Sequence, residues 1–198
     1  HSKEIKLDGV EMHFMHGLGI VSQFCTDIYF NHLRCAPRPE TGRICASTAD
    51  MAHFSGCNGN IKIENSVFSG AHDDPINIHG THLRIVKQLA DNKVIVRFMH
   101  HQTYGIQAYA EGDSVDFISA KTLLPYATRV VTAFKRLGEY EIELQLNGPL
   151  PAGIDSLDCL ENTTRTPAVV IRNNWFQRTP TRGLLVTTRK KVLIEGNT

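Results

Sequence analysis

Short strands with apolar ends recur along this chain in a regular order. Ile28-Tyr29-Phe30, Ile61-Lys62-Ile63, Val169-Val170-Ile171 and Val192-Leu193-Ile194 form one set, each followed by polar residues such as Asn, Glu or Arg. A second set reads Ile20-Val21-Ser22, His53-Phe54-Ser55, Ile76-Asn77-Ile78 and Leu184-Leu185-Val186. Between the sets, Asn65 and Phe68 match Asn173 and Phe176. Alternation marks half-buried strands, and regular repetition of short strands marks a solenoid whose turns stack. The expected fold is all-β, a right-handed parallel β-helix.

One stretch breaks the repeat. Within residues 84–166, Lys93–Phe98, Asp113–Phe117, Arg129–Phe134 and Tyr140–Leu146 read as alternating strands separated by turns. The expected organisation is therefore β-helix coils over 1–83, an inserted small antiparallel β-barrel or sandwich over 84–166, and β-helix coils again over 167–198. The insertion leaves the coil just after an Asp pair, where walling one side of a cleft and simply stabilising the coil are equally open readings.

The repeat also carries the chemistry. STADMAHFSG and AHDDPINIHG align at a shift of 23 residues. That register makes one column of Gly17, Asp50, Asp73 and Thr181, and another of Leu18, Met51, Asp74 and Arg182. Stacked strands lie about 4.8 Å apart, so Asp50 is expected to flank Asp73, and Asp74 to face Arg182. A single Asp at a bend is an ordinary Asx-turn. Three on adjacent coils crowd like charges, which raises a pKa and calls for a use.

Glycosidic cleavage is such a use: one carboxylic acid protonates the leaving oxygen, and a second carboxylate acts on the anomeric carbon or its water. Asp74, beside Arg182, is expected to be ionised and suits a base. Asp50, beside Gly17 and Met51 and facing the negative pair, is expected to have a raised pKa and suits an acid. Calcium is the rival use of three carboxylates, and Arg182 among them argues against it; no metal or cofactor is expected. Arg182, His72, His79 and Asn77 are the candidate substrate-binding residues. Trp175, the single tryptophan, is expected in the core.

A net charge of +1 without a basic run argues against a nucleic-acid surface, and no apolar stretch approaches the length of a membrane span. Both ends lack the polar caps that solenoids carry, so a fragment of a longer protein is expected, and oligomeric state is left open. The 5 cysteines show no zinc-type spacing. Cys35 and Cys45 bracket a Pro-rich excursion that a disulfide would suit; buried thiols are favoured for the set.

STADMAHFSGCNGNIKIENSVFSGAHDDPINIHGTHLRIV, followed after the insertion by ENTTRTPAVVIRNNWFQRTPTRGLLVTTRKKVLIEGN, resembles glycoside hydrolase family 110. The resemblance covers nearly the whole chain. It implies an exo-acting α-1,3-galactosidase that removes terminal galactose from blood-group-B-type glycans with inversion and no metal. It also implies an exported protein, secreted or periplasmic. The family's catalytic aspartates fall on Asp50 as the acid and on Asp73 and Asp74 as the base or base pair. Two other readings stand beside it. A polygalacturonase-like inverting hydrolase has loose echoes in TAD, HDD, IHG and LRI, though these crowd behind the Asp pair. A non-catalytic glycan-binding β-helix belongs to a different class altogether.

Overall fold

The computed structural model describes residues 2–198 and is all-β, with two short 3-10 turns at Pro39–Thr41 and His101–Thr103 as its helical elements among those residues. The chain forms two compact units: residues up to His79 together with Thr166–Thr198, and Gly80–Arg165.

Three parallel sheets build the first unit. A five-stranded sheet stacks Lys3–Asp8, Thr26–Asn31, Asn58–Glu64, Ala168–Arg172 and Val192–Glu195 in that order. A second contains Glu11–Met12, Arg34–Cys35, Val67–Ser69 and Trp175–Gln177, and a third Ile20–Gln23, Ala52–Ser55, Ile76–His79 and Leu184–Val186. The chain visits the sheets in the same order on each pass. Alternation explains why: Ile28, Phe30, Ile61, Ile63, Val169 and Ile171 from the first sheet, Cys35 and Phe68 from the second, and Phe54, Ile76 and Ile78 from the third meet in one buried core. Burial of such side chains contributes about 1.5–3 kcal/mol each, which fixes the parity of every strand that supplies one.

The expected register of the five-stranded sheet holds: Ile28 pairs with Ile61, Ile61 with Val169, and Val169 with Val192. Phe68 likewise pairs with Phe176, and their rings stack at 5.4 Å. That contact corrects the placement of Trp175. Neighbouring strand residues face opposite ways, so with Phe176 turned inward Trp175 turns out and is 52% exposed.

The third sheet also departs from expectation, by one residue. His53 pairs with Asn77 and Phe54 with Ile78, and on the other side Val21 pairs with His53. The extra residue enters at a β-bulge, where Thr26 pairs with Asn58 but Ile28 with Ile61. Gly59 sits there at φ +68°, and a Cβ on it would lie 2.4 Å from Asp27 Oδ1. Asp27 Oδ1 instead accepts from the Asn60 backbone N–H at 2.9 Å and from its side-chain amide at 3.0 Å. Only glycine fits both the left-handed backbone and the close approach.

The second unit is a closed antiparallel barrel in the order His82–Ala90, Lys93–Arg97, Glu141–Leu146, Pro125–Arg136, Ser114–Ile118 and Cys159–Asn162. Leu83, Val94, Val96, Val115, Phe117, Ile142, Leu144 and Leu160 fill it. His82 belongs to this barrel, with Nε2 3.7 Å from Glu161 Oε2. All 5 cysteines are free thiols; burial pushes Cys35 up to about 12. No helix among the described residues is long and apolar enough to cross a membrane.

Candidate functional site

The site lies where the chain enters the third sheet. Ser47 and Thr48 shape the first turn: Ser47 Oγ donates to the carbonyls of Gly17 at 2.9 Å and Asp50 at 3.2 Å, and Thr48 Oγ1 accepts from Gly17 N–H. Met51 is fully buried in the core, whereas the Asp50 carboxylate turns to meet His53 and Asn77 on the outward row of the sheet. Gly19 lets the preceding turn close on it, because a Cβ there would stand 2.5 Å from Met51 O. In the next turn Pro75 holds Asp74 to extended backbone, and Met51 N–H donates to Asp74 O at 3.1 Å.

These turns bring Asp50, Asp73 and Asp74 together, with carboxylate oxygens of all three within 4.8 Å of one another. The neighbour relations differ from expectation. The bulge makes the step 24 residues, so Asp50 is in register with Asp74, whose backbone N–H donates to Asp50 Oδ1 at 3.2 Å. Asp73 stands one position earlier. The expected Asp74–Arg182 contact is present as a two-pronged grip: Nε to Oδ1 at 2.9 Å and Nη2 to Oδ2 at 2.8 Å. The hydrogen bonds and charge of Asp74 raise the pKa of Arg182 further. Arg182 Nη2 also lies 3.8 Å from Asp73 Oδ1.

Asp50 is not the high-pKa acid that its neighbours in sequence imply. Burial alone would raise it, but hydrogen bonds from His53, Asn77 and the Asp74 N–H outweigh burial and hold it below the usual carboxylate range. His53 Nδ1 lies 2.7 Å and Asn77 Nδ2 3.0 Å from Asp50 Oδ2. His53 was not among the sequence candidates. Its signal is the shared outward row of His53 and Asn77, which the one-residue slip hides.

The remaining candidates divide. His79 joins the cluster through His53, Nε2 to Nε2 at 3.1 Å. Asn77 keeps a buried Oδ1 with no hydrogen-bond donor among the described residues. His72 is exposed, and its backbone N–H donates to Ser47 O. The three carboxylates do not fit a cation cage, because Arg182 fills the cation's place on Asp74 and neutral or basic donors occupy Asp50. Asp73 alone is half-exposed, 51% against 6% for Asp50 and 1% for Asp74.

Fold and site define an all-β protein with a carboxylate-centred site on stacked parallel strands. Residues 93–160 match the family described as GLAA-B beta-barrel domain II. The chain is 50% identical over 194 residues to alpha-1,3-galactosidase A of Akkermansia muciniphila, covering 98% of this chain and 33% of that protein. It is 48% identical over 198 residues to alpha-1,3-galactosidase A of Bacteroides fragilis (100% and 33%) and 39% identical over 197 to alpha-1,3-galactosidase B of Bacteroides thetaiotaomicron (100% and 32%). Relatives at 46–50% identity along the whole chain are named alpha-1,3-galactosidase, and with the barrel match this fits a fragment of a glycoside hydrolase family 110 enzyme. The chain spans about a third of the length of these curated relatives.

Proposed function

We propose that this chain carries the catalytic centre of an exo-acting, inverting glycoside hydrolase that removes terminal α-1,3-linked galactose from blood-group-B-type or related glycans. The observation that carries the reading is the three-carboxylate cluster gripped by Arg182; the names of the relatives supply the sugar and linkage. In this reading the three parallel sheets are faces of one right-handed β-helix, interrupted over 84–166 by the barrel, and the protein acts outside the cytoplasm on a glycan partner.

Exposure supports a division of roles. Asp73 is the carboxyl open to a substrate, so it protonates the leaving oxygen. Asp50 and Asp74, both buried and both held by donors, form the ionised side that orients and deprotonates the attacking water. Separation bears on stereochemistry too. Carboxyls about 5–5.5 Å apart are typical of retention, but retention also needs two carboxyls that reach the sugar, one as nucleophile and one as acid. Here only Asp73 is open, which favours water as the nucleophile and inversion.

The test is turnover by the full-length protein on the B trisaccharide, linear α-1,3-galactobiose and polygalacturonate. Galactose release from the α-1,3-galactosides and none from polygalacturonate is expected. Cleavage of polygalacturonate would move the assignment to the polygalacturonase-like reading, and glycan binding without turnover to the non-catalytic one.

A further inference from the structure

Asp50, His53 and His79 form a continuous chain of side chains leading away from the carboxylate cluster. His53 Nδ1 is 2.7 Å from Asp50 Oδ2, and His53 Nε2 is 3.1 Å from His79 Nε2, with the rings edge-on at 74°. The donor directions follow from the inventory of these groups. An ionised carboxylate only accepts, so His53 Nδ1 carries the hydrogen that meets Asp50. A neutral His53 then has a bare Nε2, and His79 donates its Nε2–H to it. One histidine thus fixes the tautomer of the other, as an outer partner does for an imidazole in many working sites.

We propose that His53 is the positioning residue of Asp50: its Nδ1–H, locked in that tautomer by His79, keeps Asp50 ionised and aimed at the attacking water. This rests on the proposed hydrolase reading and adds to it the device that separates two carboxyls only one turn apart. Asp73, half-exposed with Arg182 Nη2 3.8 Å away, serves as the proton donor; Asp50, buried and held by His53 and Asn77, serves as an acceptor. The charged and titratable groups around His53 are Asp50 on its own turn, Asp73, Asp74 and His79 on the next, and Arg182 beyond them. On its other side the strand Ile20–Gln23 sets Val21 in its row, which brings no charge.

The experiment compares His53→Phe, His53→Asn and His79→Phe in the intact protein. His53→Phe removes the donor; kcat should fall at least 10-fold with KM changed less than 3-fold, and the acid limb of the pH–rate profile should move up by about one pH unit. His53→Asn restores a neutral donor and should recover most of both effects. His79→Phe frees the tautomer and should show a smaller shift in the same direction. An acid limb that stays in place in folded His53→Phe overturns the proposal, because a merely structural role would lower stability without moving it. Side-chain NMR reads the same claim without turnover. In the parent protein a protonated Nδ1 and bare Nε2 on His53, with an Asp50 carboxyl that titrates higher in His53→Phe, supports it; the opposite tautomer or an unmoved carboxyl overturns it. A parent protein that hydrolyses no α-galactoside but shows the NMR pattern would reject the hydrolase reading while leaving the Asp50–His53 coupling established.

Discussion

Arg182 holds both oxygens of Asp74 across 108 residues of sequence, at 2.9 and 2.8 Å. The planar guanidinium matches the carboxylate as a fork, and this pins Asp74 in a fixed orientation beside Asp50 and Asp73. A lysine keeps the charge and loses the fork. Arg182→Lys is therefore expected to lower kcat about 100-fold, the scale of losing one fixed electrostatic donor, while the protein remains folded by circular dichroism.

Leaving-group dependence separates the three carboxylates. Asp73→Asn should lose about 100- to 10,000-fold on natural glycans, the range of general acid catalysis, and far less on an aryl α-galactoside whose phenolate departs unaided. Asp50→Asn and Asp74→Asn should lose activity on both, because an activated aglycone does not replace the base. Steady-state rates on the two substrate types check this. Activity on the aryl substrate recovered by Asp50→Asn instead would return the acid role to Asp50.

Inversion has a direct readout. Proton NMR during the first minutes of hydrolysis should show β-galactose appearing before mutarotation. First-formed α-galactose would make Asp73 a nucleophile.

Acid should remove a definite part of the stability. The folded pKa of Asp50 lies below its ordinary value, despite burial, because His53, Asn77 and the Asp74 N–H favour the carboxylate. A depressed carboxyl contributes stability that is fully present above the unfolded value, about 3.9, and is lost as pH falls through the folded value. Asp50→Asn lacks this contribution at every pH. Denaturant midpoints should thus differ clearly between parent and variant at neutral pH and converge at acid pH.

Close approach at Gly19 gives a packing test. A methyl there meets Met51 O and Met15 Sδ at 2.5 Å; the thioether ends a flexible side chain, but the backbone carbonyl cannot retreat without moving the turn that carries Asp50. Gly19→Ala should cost about 1–3 kcal/mol, as overpacking does, measured by urea denaturation. Activity should fall with stability, since Gly19 N–H donates to Asp50 O at 2.9 Å.

The sequence by itself determined four of the five strands of the first sheet and their register, Lys3–Asp8 going unread, because each pair of apolar ends, such as Ile28 with Phe30 or Ile61 with Ile63, must face one core. It also determined that Asp50, Asp73, Asp74 and Arg182 would meet, since a repeating turn returns them to one edge, and the four insertion strands that the barrel contains. Two strands that complete the barrel, His82–Ala90 and Cys159–Asn162, went unread. What the tertiary structure alone decided turns on single residues. The bulge at Gly59 adds one position to a turn, and a one-residue slip flips every side chain in a strand to the other face. Matching the aspartate motifs set Phe54 against Asn77, whereas burial sets Phe54 against Ile78 and His53 against Asn77. That shift put the Asp74 N–H and Asn77 on Asp50, beside the His53 of its own turn, and together they reverse the direction of its pKa. Trp175 turned outward for the same reason of parity, with Phe176 taking the core. A carboxylate's charge depends on which donors reach its oxygens, and two of those on Asp50, Asn77 and the Asp74 N–H, come from a neighbouring turn whose register is settled only when the core is packed.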